Sequence, residues 1–253
     1  MRHMMLLGTD HATFGEYTQR NMGTIFAAIS VGADPDSPSK KFKGDPRHLN
    51  EDALLVCDDG QRCLMAVADA HFGWQASHQL VTLLGERVKT GLPRAAPELT
   101  ELIRGLRVAR PSRDSASTLL VAVFDQQRGE GFGLSVGDST LLCVSRRTQQ
   151  RCSPVNRRYI SMAHPASLEI RPQERFTFSA EPGDLLLAFT DGIDECNYRN
   201  PGKSIRLQHH RRLITETGPM PQAYGQALMS WALRGVEPHP GGQDNIALIA
   251  YAV

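Results

Sequence analysis

Short apolar runs separated by polar turns recur along most of the chain, interrupted by segments with a different period. Ala53 to Cys57 and Cys63 to Ala68 flank a polar tip, Asp58, Asp59, Gly60, Gln61 and Arg62, and read as a β-hairpin. Ala76, Leu80, Leu83, Leu84 and Val88 then recur at three-to-four spacing between Trp74 and Thr90. Leu99, Leu102, Ile103 and Leu106 repeat that period before Pro111, predicting two amphipathic helices. Strand-like runs return at Ser117 to Phe124, Gly131 to Val136, Leu141 to Val144, Leu185 to Thr190 and Ile246 to Val253, with Tyr224, Ala227, Leu228 and Trp231 marking one further helical face. This order favours an α+β fold of antiparallel sheets with segregated helices over an alternating βαβ repeat. Ile25 to Val31 reads as an edge strand, and the Pro-, Asp-, Ser- and Lys-rich segment 34–46 as an exposed loop within a single domain, 1–253.

Composition narrows the function classes. Lys plus Arg number 28 against 27 Asp plus Glu, so no net basic field draws nucleic acid or an anionic membrane onto the surface. The apolar runs fall short of the roughly 20 residues a bilayer span requires. Met1 to Gly8 is broken by Arg2 and His3 and lacks the pattern of an export signal. The 5 cysteines are scattered without a C-x-x-C pair, which suits neither a disulfide framework nor a thiolate zinc site. A cytoplasmic protein is expected.

The chemistry lies in where the acids sit. Glu51 and Asp52 precede the first hairpin strand, Asp69 ends the second, Asp191 follows Leu185 to Thr190, and Asp244 precedes the last strand. A sheet aims side chains at its strand ends rigidly. Taken one at a time, Asp191-Gly192 is a turn dipeptide and Asn50-Glu51-Asp52 a solvated cap. Taken together they form a hard-oxygen set that selects Mg²⁺, Mn²⁺ or Ca²⁺ over zinc, because clustered carboxylates repel one another unless cations intervene.

The ordered blocks Arg47-x-x-Asn50-Glu51-Asp52, Val67-Ala68-Asp69-Ala70-His71-Phe72-Gly73, Ser117-Thr118-Leu119, Val136-Gly137-Asp138-Ser139, Phe189-Thr190-Asp191-Gly192-Ile193-Asp194 and Asp244-Asn245 resemble the metal-dependent PPM, or type 2C, serine/threonine phosphatases of bacterial type, over about residues 47–253. The resemblance implies a four-layer α-β-β-α sandwich and two Mn²⁺ or Mg²⁺ ions around an attacking water. Asp69 would bridge both ions, Asp191 and Asp244 would complete the first ion's shell, and Glu51 and the Ala70 carbonyl the second's. Asp52 would orient the nucleophile, Arg47 would clamp phosphate, and His71 would protonate the leaving seryl oxygen. Asp114 stands near where a third ion's ligand is found.

The sequence departs from the family pattern at Ala70 and Phe72, where the Asp-Gly-x-Gly-Gly block has glycines, and the flap region 145–178 lacks the eukaryotic motif. Asp138 reads as a structural turn residue. The expected partner is a phosphorylated protein, a target of a bacterial serine/threonine kinase. The competing expectation is a phosphoprotein-binding pseudophosphatase of the same fold, and a third is a hydrolase for small phosphate esters.

Overall fold

The apolar runs become strands whose two faces are both buried, and that is what makes the layers. The computed structural model describes residues 1–109, 115–161 and 168–253. In chain order the elements are β1 (Arg2–Leu7), β2 (Thr18–Met22), β3 (Ile25–Ser30), β4 (Asp52–Asp58), β5 (Arg62–His71), α1 (Gln75–Val88), α2 (Ala96–Arg104), β6 (Ala116–Ser117), β7 (Leu119–Asp125), β8 (Glu130–Val136), β9 (Thr140–Val144), β10 (Gln149–Arg151), β11 (Ile160–Ser161), β12 (Arg175–Ser179), β13 (Leu185–Phe189), α3 (Leu207–Thr217), α4 (Pro221–Arg234) and β14 (Ile246–Ala252). The larger sheet runs β1-β4-β5-β7-β8-β12, with β6 on the end of β5 and β11 beside β6. The smaller sheet runs β10-β9-β13-β14-β3-β2.

Alternation along β5 shows how the sequence dictates the stack. Leu64, Ala66 and Ala68 point to one face and Cys63, Met65 and Val67 to the other, and all are buried. The first set meets Leu80, Leu84 and Val88 of α1 and Leu99 and Ile103 of α2. The second meets Ala27, Ile29, Leu186, Ala188 and Ile249 of the smaller sheet. Beyond that sheet, Phe26, Leu187, Phe189 and Leu248 pack on Leu213 and Ile214 of α3 and on Tyr224, Leu228 and Met229 of α4. Each large apolar side chain buried this way contributes roughly 1.5–3 kcal/mol, and the result is the expected α-β-β-α sandwich.

Several expectations need correction. Ile25–Ser30 is an interior strand, paired with β14 on one side and β2 on the other, because both of its faces are apolar. Segment 34–46 is only partly exposed: Ser37, Ser39, Lys40 and Asp45 are buried, and the Lys43 side chain is 5% exposed. Helix α3 was not foreseen, since its sequence LQHHRRLITET presents only His210, Leu213 and Ile214 to the core.

Candidate active site

The β4–β5 ladder sets Asp52 directly opposite Asp69. Asp69 is pinned through its backbone: its N–H donates to Thr118 Oγ1 at 3.0 Å, and its carbonyl accepts from Thr118 N at 2.8 Å and Ser117 Oγ at 3.0 Å. Thr190, just past β13, donates its hydroxyl to Asp52 Oδ2 at 2.7 Å and accepts from Ala247 N at 2.9 Å, linking the two sheets at this end. Asp191 follows in a turn packed so tightly that a Cβ on Gly192 would lie 1.8 Å from the Asn245 carbonyl oxygen, which explains the glycine. Across from it, Asp244 Oδ1 accepts from Asn245 N at 2.8 Å. The Asn245 amide in turn accepts from Glu51 N at 3.1 Å and donates to Val31 O at 3.2 Å.

Asp191 and Asp244 line a cleft of about 420 Å³ whose wall also includes Lys43, His71, Asp138 and Tyr159, with the exposed Phe42 and Phe72 on its lining. Asp52 and Asp69 lie near enough to interact with one another and with Asp191 and Asp244. A larger depression of about 760 Å³ lies at the opposite end of β7, near Arg94, Asp125 and Arg128, and holds none of the site residues. The chemistry therefore follows the smaller cleft.

Burial dominates the electrostatics. It pushes Asp52 up to about 6 and Glu51 up to about 7. Asp69 and Asp191 are driven well above the carboxylate range by burial and then by neighbouring acids, Asp191 acting first on Asp69 and Asp244 first on Asp191. Asp244 goes the other way: burial raises it, but Lys43 and Lys40 outweigh that and hold it below its ordinary value. Lys43 Nζ stands 3.5 Å from Asp244 Oδ1 and 3.8 Å from Glu51 Oε2. Burial opposes its charge, yet Asp244, Asp69, Glu51 and Asp52 raise it above the usual lysine value. Burial brings Lys40 down to about 8.

An all-oxygen donor set in which Glu51 Oε2 and Asp52 Oδ1 are buried without a hydrogen-bond partner fits a hard divalent cation. Among the described residues, no three Asp, Glu, His or Cys side chains are already drawn together as a cage. Lys43 stands between two of them instead.

The remaining expected residues are placed as follows. Ala70 pairs with Ser117 in extended backbone and is fully buried. Phe72, in the place of a family glycine, carries the left-handed φ of 64° that a glycine would adopt freely. His71 Nε2 lies 3.9 Å from Asp69 Oδ2, its ring edge-on to Tyr159 at 4.7 Å, and burial followed by Lys43 lowers its pKa. Arg47 is not brought to the cleft wall; its side chain is 82% exposed and pairs with Asp45 at 3.3 Å. Asp114 lies outside the described residues. Sequence reasoning missed Lys43 and Tyr159, and it took Asp138 as structural although it faces the cleft. The one available signal for Lys43 was its place between two lysines and Gly44, just before the Arg47 block.

A family model described as protein phosphatase 2C matches residues 47–234. No curated protein matches the chain. Among solved structures, the catalytic domain of the serine/threonine protein phosphatase PstP in complex with 2 manganese ions is 15% identical, with a TM-score of 0.64, covering 94% of this chain and 99% of that one. The PPM Ser-Thr phosphatase MsPP from Mycobacterium smegmatis, in complex with cacodylate, is 18% identical with a TM-score of 0.61, covering 92% and 100%. RsbX in complex with magnesium is 12% identical with a TM-score of 0.58, covering 94% and 100%. At these identities the likeness is one of fold.

Proposed function

Because the chain belongs to the protein phosphatase 2C family, we propose that it hydrolyses phosphoserine and phosphothreonine in proteins, with two Mn²⁺ or Mg²⁺ ions held by Glu51, Asp69, Asp191, Asp244 and the Ala70 carbonyl. The observation that carries this reading is the juxtaposition of acids from both sheets, Asp52 opposite Asp69 in the larger and Asp191 and Asp244 on the cleft wall from the smaller, with Asp191, Asp52 and Asp244 all acting on Asp69. The manganese in PstP and the magnesium in RsbX support the choice of ions.

When bound, the ions supply an activated water and offset charge on the phosphoryl oxygens. The chain's own groups do the rest. Thr190 fixes Asp52 through Oδ2, leaving Oδ1 to accept a hydrogen bond from water and orient it. His71, on the cleft wall, is the residue this reading assigns to protonate the departing seryl or threonyl oxygen, a role it fills as the imidazolium. Arg47 is tied only to Asp45 at the surface, a pairing weak enough to be exchanged for a phosphate fork. A third ion at Asp114 belongs to the same reading.

Among the described residues, no helix is long and apolar enough to cross a membrane. A cytoplasmic setting opposite a serine/threonine kinase is part of the proposal.

Hydrolysis of a phosphothreonine peptide with Mn²⁺, with EDTA, and by Asp69→Asn and Asp244→Asn protein tests the reading. Turnover that requires metal and is lost in both variants is expected. A second reading, a phosphoprotein-binding pseudophosphatase, is favoured by the Lys43 ammonium among the carboxylates. Folded wild type that binds the phosphopeptide but does not turn it over at saturating Mn²⁺ or Mg²⁺ would establish that alternative.

A further inference from the structure

Segment 38–44 behaves as a strap pinned on both sides of the cleft. On the Asp244 side, Ser39 Oγ donates to the Gln243 carbonyl. Gly44 donates its N–H to Glu51 Oε1 at 2.8 Å. It also packs so closely on the Phe72–Gly73 backbone that a Cβ there would fall 2.1 Å from Phe72 O. Lys40 Nζ, buried, donates to Val31 O at 2.5 Å. Between these anchors the strap delivers Lys43 inward while Lys41 and Phe42 stay exposed.

An ammonium inserted at 3.5 Å and 3.8 Å from two buried carboxylates is placed by its surroundings, since a flexible lysine left to itself stays in water. Glu51 Oε2 has no hydrogen-bond partner, so Lys43 meets it as a charge alone. The position of that charge, between one carboxylate entering β4 and another entering β14, is where a cation shared by the two sheets must act.

Resting on the reading of this cleft as a cation site, we propose that Lys43 is a built-in counter-ion that competes with divalent metal. Its ammonium shares one positive charge between Glu51 and Asp244 and holds the two sheet ends at working distance, and it must withdraw before a metal ion takes both carboxylates. The strap thereby sets the metal concentration at which the site fills.

The test is calorimetric titration of Mn²⁺ into EDTA-stripped, desalted full-length wild type, Lys43→Met and Lys41→Met. The last removes the same charge from the same strap at an exposed position. Lys43→Met is expected to bind Mn²⁺ about tenfold or more tightly than wild type, with Lys41→Met within about twofold. Without Mn²⁺, Lys43→Met should melt below wild type, and saturating Mn²⁺ should close that gap; a Lys43→Met protein that folds only with Mn²⁺ supports the proposal equally. Equal or weaker Mn²⁺ binding by folded Lys43→Met overturns it. The wild-type isotherm reports separately on the cation-site reading, which stands if wild type binds Mn²⁺ whatever the variant does.

A second measurement needs no variant. Acetic anhydride labelling read by mass spectrometry should show Lys43 becoming several-fold more reactive relative to Lys41 when Mn²⁺ saturates the wild-type protein. Unchanged relative labelling overturns the proposal.

Discussion

The two sheets present their acids to the cleft by different means. In the larger sheet Asp52 and Asp69 are strand residues, opposed in an antiparallel ladder whose register sets their backbones. In the smaller sheet Asp191 and Asp244 lie outside β13 and β14, in loops whose shape depends on the glycine at 192 and the amide of Asn245. Register is enforced by every buried side chain along a strand and resists local damage. A loop position rests on a few hydrogen bonds and one close packing contact. Mutational damage should therefore fall mainly on the smaller sheet's half of the site.

The strongest way to break this contrast is Gly192→Ala. Its Cβ has no room beside the Asn245 carbonyl, and a loss of about 3 kcal/mol or more is expected in urea unfolding. Acidification tests the same half through the layer behind it. His210 of α3 stacks on Phe189 of β13 and meets Tyr224 OH at 2.7 Å. Burial lowers its pKa from 6.5 to about 4, so below about pH 6.5 the unfolded chain takes up a proton that the folded one refuses. The stability that His210 contributes should therefore fall by about 3 kcal/mol between pH 6.5 and 4. This is opposite in sign to the metal-free carboxylates Glu51, Asp52, Asp69 and Asp191, whose raised pKa values favour the fold on acidification. The difference between the wild-type and His210→Gln melting temperatures across that window isolates the histidine's share.

Asn245→Ala removes the acceptor for Glu51 N and the donor to Val31 O. It should cost about 2 kcal/mol in chemical denaturation and weaken Mn²⁺ binding. In the larger sheet, Thr118→Val removes the acceptor for Asp69 N but leaves the ladder, so a loss of about 1 kcal/mol is expected with metal binding little changed. A Thr118 effect equal to that of Asn245 would overturn the contrast. Smallest of all, Phe72→Gly relieves the left-handed backbone of an exposed residue and should stabilise the fold by about 1 kcal/mol or less.

Much of the sandwich was legible because buried strands and amphipathic helices each repeat at their own period, and the acids at strand ends could be read off the runs they bound. What escaped was where the local pattern and the tertiary role disagree. Segment 34–46 has the composition of a solvated loop, yet it drives Lys40 and Lys43 inward, because buried carboxylates from distant parts of the chain attract them. No local window contains those partners. Helix α3 hid behind charged residues on its outer faces, and β1 behind Arg2 and His3, whose side chains lie at an exposed strand end. Arg47 shows the converse: its block was recognisable, but its side chain lies outside the cleft, paired with Asp45.

The pairing of β3 with β14 carries a consequence for biosynthesis. It joins residues 25–30 to residues 246–251 across the middle of the smaller sheet. A ribosome releases β3 long before its neighbour exists, so the nascent chain must shelter an apolar strand with an unfilled hydrogen-bonding edge until β14 emerges. Asp244 arrives with that same strand. Closure of the sheet and completion of the acidic cluster are thus one event, and a translation product stopped short of β14 carries neither a finished fold nor a finished site.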